Sequence, residues 1–260
     1  MQSETVLITG ASSGIGLELA RCFAADRSHL VLVARTAEAL QSLANELRRE
    51  HGIQTTVLSA DLSLPETPVR VFNELQQAGI IVDVLVNNAG FGAQGTFADL
   101  PLHRQLEMIQ VNVAALTELT GLFLPGIIAR KRGGVLNVGS VAGFVAGPGM
   151  AVYFATKAYV LSFTEALAAE LAGKGLTVSA LCPGPTRTNF GKVARGSKER
   201  QFKSPKMSAE TVARCGHHAF RKGRVLCIPG LLNHFLIFLM RSTPRRLQRK
   251  AVKSLNRMKD

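Results

Sequence analysis

The chain has no tryptophan and only two tyrosines, Tyr153 and Tyr159, so aromatic residues make up 6% of its 260 positions. Its basic residues are not interleaved with aromatics, and neither a helix-turn-helix nor a zinc motif occurs, so no specific nucleic-acid partner is expected. Cysteine is scarce: Cys22, Cys182, Cys215 and Cys227 lie far apart and never as C-x-x-C. That spacing suggests neither zinc nor a disulfide framework, and points to reduced thiols with no metal site. No basic-then-apolar leader precedes the apolar run that begins at Thr5, so a cytoplasmic protein is expected rather than an exported one. Low-complexity stretches are missing as well. Charged residues are 19% against 47% hydrophobic, which excludes a disordered tail and a collagen-like fibre. With nothing to divide it, the chain is expected to form one domain over residues 1–260.

Positive charge is what the sequence has in excess, a net +13 at pH 7, and its distribution matters more than its size. Residues 1–186 hold 12 Lys and Arg against 15 Asp and Glu, whereas residues 187–260 hold 19 against 3. A mildly acidic body thus carries a strongly basic end. Such an end either steers an anionic substrate, carrier or membrane surface, or is simply solvated.

Short apolar, β-branched runs at 5–9, 30–34, 55–58, 82–86, 135–138, 177–181 and 225–228 alternate with segments of helical period beginning near Gly14, Ala37, Pro68, Leu102, Ala151 and Ser208. This rhythm predicts an α/β fold with a seven-stranded parallel sheet and helices on both faces. The stretch 183–207, rich in Gly, Lys and Arg, reads as a mobile loop of the kind that serves as a lid over substrate.

After the first strand the chain reads Thr9-Gly10-Ala11-Ser12-Ser13-Gly14-Ile15-Gly16 and opens into a helix. Glycines there let backbone approach a pyrophosphate, and the helix start offers unpaired N–H groups and a positive dipole end. The spacing is G-x-x-x-G-x-G, so tight packing alone would also explain it. Gly10, Ser12, Ser13, Gly14, Ile15 and Gly16 are the candidate contacts. Nineteen residues past Gly16 the second strand ends in Ala34-Arg35-Thr36. A free ribose 2′-hydroxyl wants a carboxylate at this place and a 2′-phosphate wants a cation, so Arg35 points to NADP(H) over NAD(H). Asp61 and Leu62 follow the third strand, suited to an adenine. Asn88, Ala89 and Gly90 follow the fourth, where small and amide residues allow close cofactor approach although they are also plain turn formers.

Tyr153 and Lys157 fall one helical turn apart on one face. An ammonium near a phenol stabilises phenolate, which lets the tyrosine exchange protons near neutral pH. Ser140, thirteen residues earlier, ends the fifth strand with a hydroxyl able to bind a carbonyl oxygen. A lone Tyr-x-x-x-Lys is otherwise a surface pair.

These motifs, in order from Thr9–Gly16 through Asn87-Asn88-Ala89-Gly90 and Ser140/Tyr153/Lys157 to Pro183-Gly184-Pro185-Thr186-Arg187-Thr188, resemble the short-chain dehydrogenase/reductase family over about residues 5–188. The resemblance implies a doubly wound Rossmann-type fold and hydride transfer between nicotinamide and a carbonyl carbon, with Tyr153 exchanging the proton at oxygen. It implies that Ser140 holds the oxygen, that Lys157 and Tyr153 also contact the nicotinamide ribose, and that Asn112 is the fourth catalytic residue, holding a water that links the lysine to solvent. It also assigns Pro183, Gly184, Thr186 and Thr188 to the nicotinamide carboxamide. A homodimer or homotetramer follows too, through helices at 102–119 and 153–171 bearing Leu106, Ile109, Val113, Phe163, Leu167 and Leu171, unless that stripe is core.

The substrate pocket is expected from residues 91–100, 141–150 and 190–205, mainly Gly, Ala, Val, Phe and Met, which favours an apolar carbonyl or alcohol. A 3-oxoacyl-thioester reductase and a non-catalytic dinucleotide-binding regulator are the alternatives. The C-terminal extension, 231–260, places ten mainly apolar residues before Arg241, Arg245, Arg246, Arg249, Lys250, Lys253, Arg257 and Lys259. Ten apolar residues are too few to span a bilayer, which needs about twenty. The extension either covers the pocket or a subunit contact with its tail solvated, or lies on an anionic membrane surface.

Overall fold

The computed structural model describes residues 4–195 and 206–256. Strand β1 (Thr5–Thr9) leads into α1 (Gly14–Ala25), followed by β2 (His29–Ala34), α2 (Ala37–His51), β3 (Thr55–Ser59) and α3 (Thr67–Gln77). Strand β4 (Val84–Asn87) precedes α4 (Leu102–Ile109), which continues through a wider π-type stretch (Gln110–Ala115) into α5 (Leu116–Arg130). Then come β5 (Gly134–Val138), a 3-10 turn (Val141–Phe144), α6 (Ala151–Glu170) and β6 (Thr177–Leu181). The last part holds β7 (Thr186–Arg187), α7 (Phe190–Arg195), β8 (Met207–Ser208), α8 (Ala209–Arg221), β9 (Leu226–Cys227), α9 (Leu231–Arg241) and α10 (Arg245–Leu255).

Seven strands form one sheet in the order β3-β2-β1-β4-β5-β6-β9, every neighbouring pair parallel. The expected doubly wound α/β architecture is therefore present. Because strand side chains alternate between faces, Val6 and Ile8 of β1 point to one side and Leu7 to the other. The first side is closed by Leu19 and Phe23 of α1, Leu40 and Leu47 of α2, and Val212 and Phe220 of α8. The second is closed by Val71 and Leu75 of α3 and by Leu119, Phe123 and Ile127 of α5. Residues 102–130 are apolar and long enough to span a bilayer, but their inner face belongs to this core.

The strand expected at 225–228 shrinks to the two-residue edge strand β9, which meets β6 only where the carbonyls of Val225 and Cys227 accept from Ala180 N and Cys182 N, both at 2.7 Å. The stretch 183–207, read as a mobile loop, contains β7, α7 and β8, with Thr186 and Arg187 pairing with Met207 and Ser208. Its residues 196–205 lie outside the described residues.

At the N-terminal ends of the central strands β1 and β4, away from the glycine turn, one carboxylate gathers three partners. Asp83, 1% exposed, accepts from Thr5 N at 3.1 Å, from Arg130 Nε at 3.2 Å and from Arg132 Nη2 at 2.9 Å. Asp83→Ala would leave a buried N–H and two converging guanidinium groups without their acceptor. We expect a loss of about 3 kcal/mol, read as a lower urea midpoint at unchanged m. A loss below about 1 kcal/mol would show that water replaces the carboxylate.

Candidate active site

The site begins where β1 and β4, side by side, send their chains in different directions. Thr9 Oγ1 donates to Val86 O at 3.3 Å and accepts from the backbone N–H groups of Asn88 and Ala89, both at 3.0 Å. Asn88 Nδ2 returns two bonds, to Thr9 O at 2.9 Å and Gly10 O at 3.1 Å. Gly10 at φ +66° and Gly14 at φ +60° supply the left-handed backbone the turn requires. A Cβ on Gly16 would collide with the Gly10 carbonyl oxygen and the Asn88 amide nitrogen. Helix α1 therefore starts tightly against both strand ends, and Ser13 places no side-chain cap on it. Its first N–H groups stay available to an anion.

Thr188 lies against this turn, its Cγ2 3.1 Å from where a Gly14 Cβ would sit. An open cleft of about 650 Å³ runs beside it, lined by Ser12, Ser13, Arg21, Arg187, Thr188 and Lys206 among others. Helix N–H groups, hydroxyls and the cations of Arg187 and Lys206 suit a diphosphate, while Arg21 is already paired with Glu18, which lines the cleft too, and with Glu46. Arg35 is exposed directly after β2, its carbonyl accepting from Ser59 Oγ at 3.0 Å, and Thr36 leaves the start of α2 without a side-chain cap. Asp61 is half-buried, its Oδ1 accepting from Ser63 N at 3.0 Å, next to the buried Leu62.

The catalytic candidates meet at the C-terminal ends of β4 and β5. Lys157 is buried on α6 and its Nζ donates to Val138 O at 2.8 Å, leaving two ammonium hydrogens for other partners. Tyr153 is 9% exposed, and Lys157 Nζ lies 6.0 Å from its ring centre. Ser140 follows β5 rather than ending it. Its Oγ accepts from Ala142 N at 3.1 Å and so caps the 3-10 turn. Burial pushes the Tyr153 phenol up to about 12, against a hydrogen bond with Ser140 that lowers it. Burial also pulls the Lys157 ammonium down to about 8. At pH 7 the chain alone thus holds a neutral phenol beside a mostly protonated lysine.

Asn112 sits in the π-type stretch and is 1% exposed. Its Nδ2 donates to Phe91 O at 2.9 Å and Thr156 Oγ1 at 3.0 Å, and its Oδ1 accepts from Phe91 N at 3.1 Å. Both amide hydrogens are engaged, tying the turn after β4 to the start of α6. A Cβ on Gly90 would lie 3.0 Å from Asn112 Oδ1 and 3.6 Å from Lys157 Nζ, so glycine keeps that corner open.

Phe190 of α7 tilts over Tyr153 with ring centres 5.2 Å apart and closes on Gly92 and Met150. Tyr153 thus faces an apolar enclosure built from Ala93, Ala142 and Met150, which come from two of the segments expected to form the pocket, and from Met108 of α4, which does not. Pro183 accepts from Ser140 Oγ at 3.5 Å, and Gly184 packs against Asn233 of α9.

Three contributors escaped the sequence reading. Thr9 and Thr156 are ordinary in sequence and matter only through partners 79 and 44 positions away. Asn256 donates to Pro148 O at 2.7 Å and accepts from Gln94 Nε2 at 3.4 Å, bringing α10 onto both loops beside the enclosure. No local signal could have found it.

A family model described as short chain dehydrogenase matches residues 4–199. The oxidoreductase UcpA of Escherichia coli strain K12 is 36% identical over 199 residues, covering 76% of this chain and 75% of that one. A short-chain dehydrogenase from Sphingobium yanoikuyae, solved with NADPH, superposes with a TM-score of 0.82 at 34% identity, over 93% of this chain and 96% of that one. One from Burkholderia phymatum, solved with NAD, gives 0.83 at 26% identity, over 95% and 96%.

Asn112→Ala would strip Phe91 of partners for both its N–H and its C=O. We expect a loss of about 2 kcal/mol in urea unfolding together with faster amide exchange at Phe91. Unchanged exchange there would show that the turn after β4 is held by other contacts.

Proposed function

As the chain belongs to the short-chain dehydrogenase family, we propose that it is an NADP(H)-preferring oxidoreductase interconverting a carbonyl and a secondary alcohol on an apolar substrate, with Tyr153 as general acid/base. The observation that carries this reading is the buried group of Ser140, Tyr153 and Lys157 facing an apolar enclosure at the C-terminal edge of a parallel sheet. Bound nicotinamide supplies or accepts the hydride at its C4. In the reducing direction the substrate carbon gains that hydride, and its oxygen gains the phenolic proton of Tyr153. Ser140 holds the oxygen by donating its hydroxyl hydrogen, and the Lys157 ammonium stabilises the phenolate left behind and returns a proton to it. Asn112 keeps in place the two segments that this relay crosses. Lys157 and Tyr153 would also hold the nicotinamide ribose, Thr188 would bond its carboxamide, and the apolar enclosure would limit access of water.

Preference for NADP(H) is supported by Arg35 and by the absence of a carboxylate at Ala34, while the uncapped start of α2 adds a positive dipole end. Copies pair as a homodimer or homotetramer through α4, where Leu102, Leu106 and Ile109 are exposed, whereas Leu167 and Leu171 of the expected stripe are buried core. The chain acts as one unit, with 183–207 as substrate loop and 231–260 as C-terminal extension, and its four free thiols suit a reducing cytoplasm.

A panel of steroid-like ketones, 3-oxoacyl thioesters and simple ketones, followed by NADPH absorbance, tests the chemistry. Tyr153→Phe keeps the ring and removes the proton, so kcat on the best substrate should fall by about 10³-fold or more with folding intact. For the wild type, kcat/KM of reduction should be level below pH 8 and fall above it, as Lys157 loses its proton near 8. Near-normal turnover by the phenylalanine variant would sink the mechanism.

Cofactor preference has its own check. Arg35→Asp should lower the NADPH/NADH ratio of kcat/KM by about 100-fold or more. An unchanged ratio would remove Arg35 from the phosphate site.

A further inference from the structure

Helix α9 turns an apolar face outward that nothing among the described residues covers. At 100° per residue, Phe238, Leu231, Phe235, Leu239, Leu232 and Leu236 fall in that order around about 160° of its circumference. They are 70%, 88%, 61%, 49%, 57% and 43% exposed. The opposite side is anchored: Ile237 is buried with Leu161, Ala180, Cys182 and Ile228, and Asn233 Nδ2 donates to Pro229 O at 2.6 Å. Only Ser242, Thr243 and Pro244 separate α9 from α10, and Gln248 Nε2 ties the two by donating to Met240 O and Thr243 O at 2.7 and 2.8 Å. On α10, Arg245, Arg246, Arg249 and Lys250 are exposed while Val252 is buried. Residues 231–255 contain no Asp or Glu.

We propose that the outer faces of α9 and α10 dock on an anionic lipid surface. A helix of 11 residues is about 16 Å long, roughly half of what a bilayer core requires, so it lies in the interface rather than across it. Its phenylalanines and leucines enter the acyl boundary while the cations of α10 meet lipid phosphates, the combination that holds amphipathic segments on anionic membranes. A second copy of this chain is a poor occupant. Pairing these faces would bring together two copies of a 25-residue stretch that carries cations and no acidic residue, so like charges would oppose the contact. The exposed face of α4 is different, since its Arg104 is already paired with Glu107 at 2.9 Å.

Docking has a consequence for the enclosure around Tyr153. Asn256 bonds Pro148 O, and Arg245 and Arg249 border a cavity whose other walls include Val145, Ala146 and Phe154. The loop rim beside the site is therefore brought close to the lipid, from which an apolar substrate could enter without crossing water. The docking itself needs no turnover, so its test stands apart from that of the catalytic reading.

Full-length chain is floated with vesicles of phosphatidylcholine alone or mixed with phosphatidylglycerol, at 0.1 and about 0.5 M salt. Binding is expected on the mixed vesicles and to weaken about tenfold or more at high salt or on neutral vesicles. Phe235→Glu with Phe238→Glu, both at exposed positions, should lose about tenfold or more on mixed vesicles, as should reversal of Arg245, Arg246, Arg249 and Lys250 to Glu. Folding of each variant is checked by its thermal melt; Phe235→Ser with Phe238→Ser carries the same expectation if glutamate unfolds the chain. A wild-type chain left in the supernatant overturns the proposal. So does undiminished binding by a phenylalanine variant, which would make the attraction charge alone. A phenylalanine variant whose mass by light scattering drops below that of the wild type would overturn it too, by making the face a subunit contact.

Discussion

The pairing of β1 with β4 is the contact on which the rest of the molecule depends. The two strands are parallel neighbours, yet the chain leaves β1 through α1 on one face of the sheet and leaves β4 toward α5 on the other. A crevice is unavoidable where the two exits diverge. Thr9 and Asn88 close its floor with a ring of hydrogen bonds, and the glycines let α1 begin against it. A site for a phosphate-bearing ligand thus follows from topology before any side chain chooses its chemistry.

Burial then sets the proton chemistry. Tyr153 and Lys157 are both buried, and desolvation moves both toward their neutral forms, the phenol upward and the ammonium downward. Burial therefore drives their proton affinities apart, so that the phenol holds its proton far more tightly than the ammonium does. Asn112, with its polar groups satisfied by Phe91 and Thr156, is what makes that buried corner tolerable inside the protein.

Among the described residues, the last elements of the chain are held by contacts from their inner sides. Ile237, Val252 and Asn256 are buried against the body, while the outer faces of the same helices are left apolar or cationic. A segment needed only to complete the core would have presented solvent with a mixed polar surface. The same α10 that carries the cations reaches, through Asn256, the loops beside Tyr153, so events on the outer surface and at the enclosure share one element.

The sequence by itself determined the strand–helix rhythm, the glycine turn and the Tyr153/Lys157 face, because periods of two and 3.6 residues and the backbone freedom of glycine are local properties that any single segment displays. It also showed that the charge is gathered after residue 186. The tertiary structure alone decided that Asn112 lies in a π-type stretch with its amide committed to Phe91, that residues 183–207 contribute two short strands and the helix bearing Phe190, and that Leu167 and Leu171 are core while Leu106 and Ile109 are surface. It alone set Asn256 on Pro148, 108 positions away. Those outcomes depend on which distant groups arrive as neighbours, and a hydrogen bond or a buried face exists only once the partner from across the chain is in place.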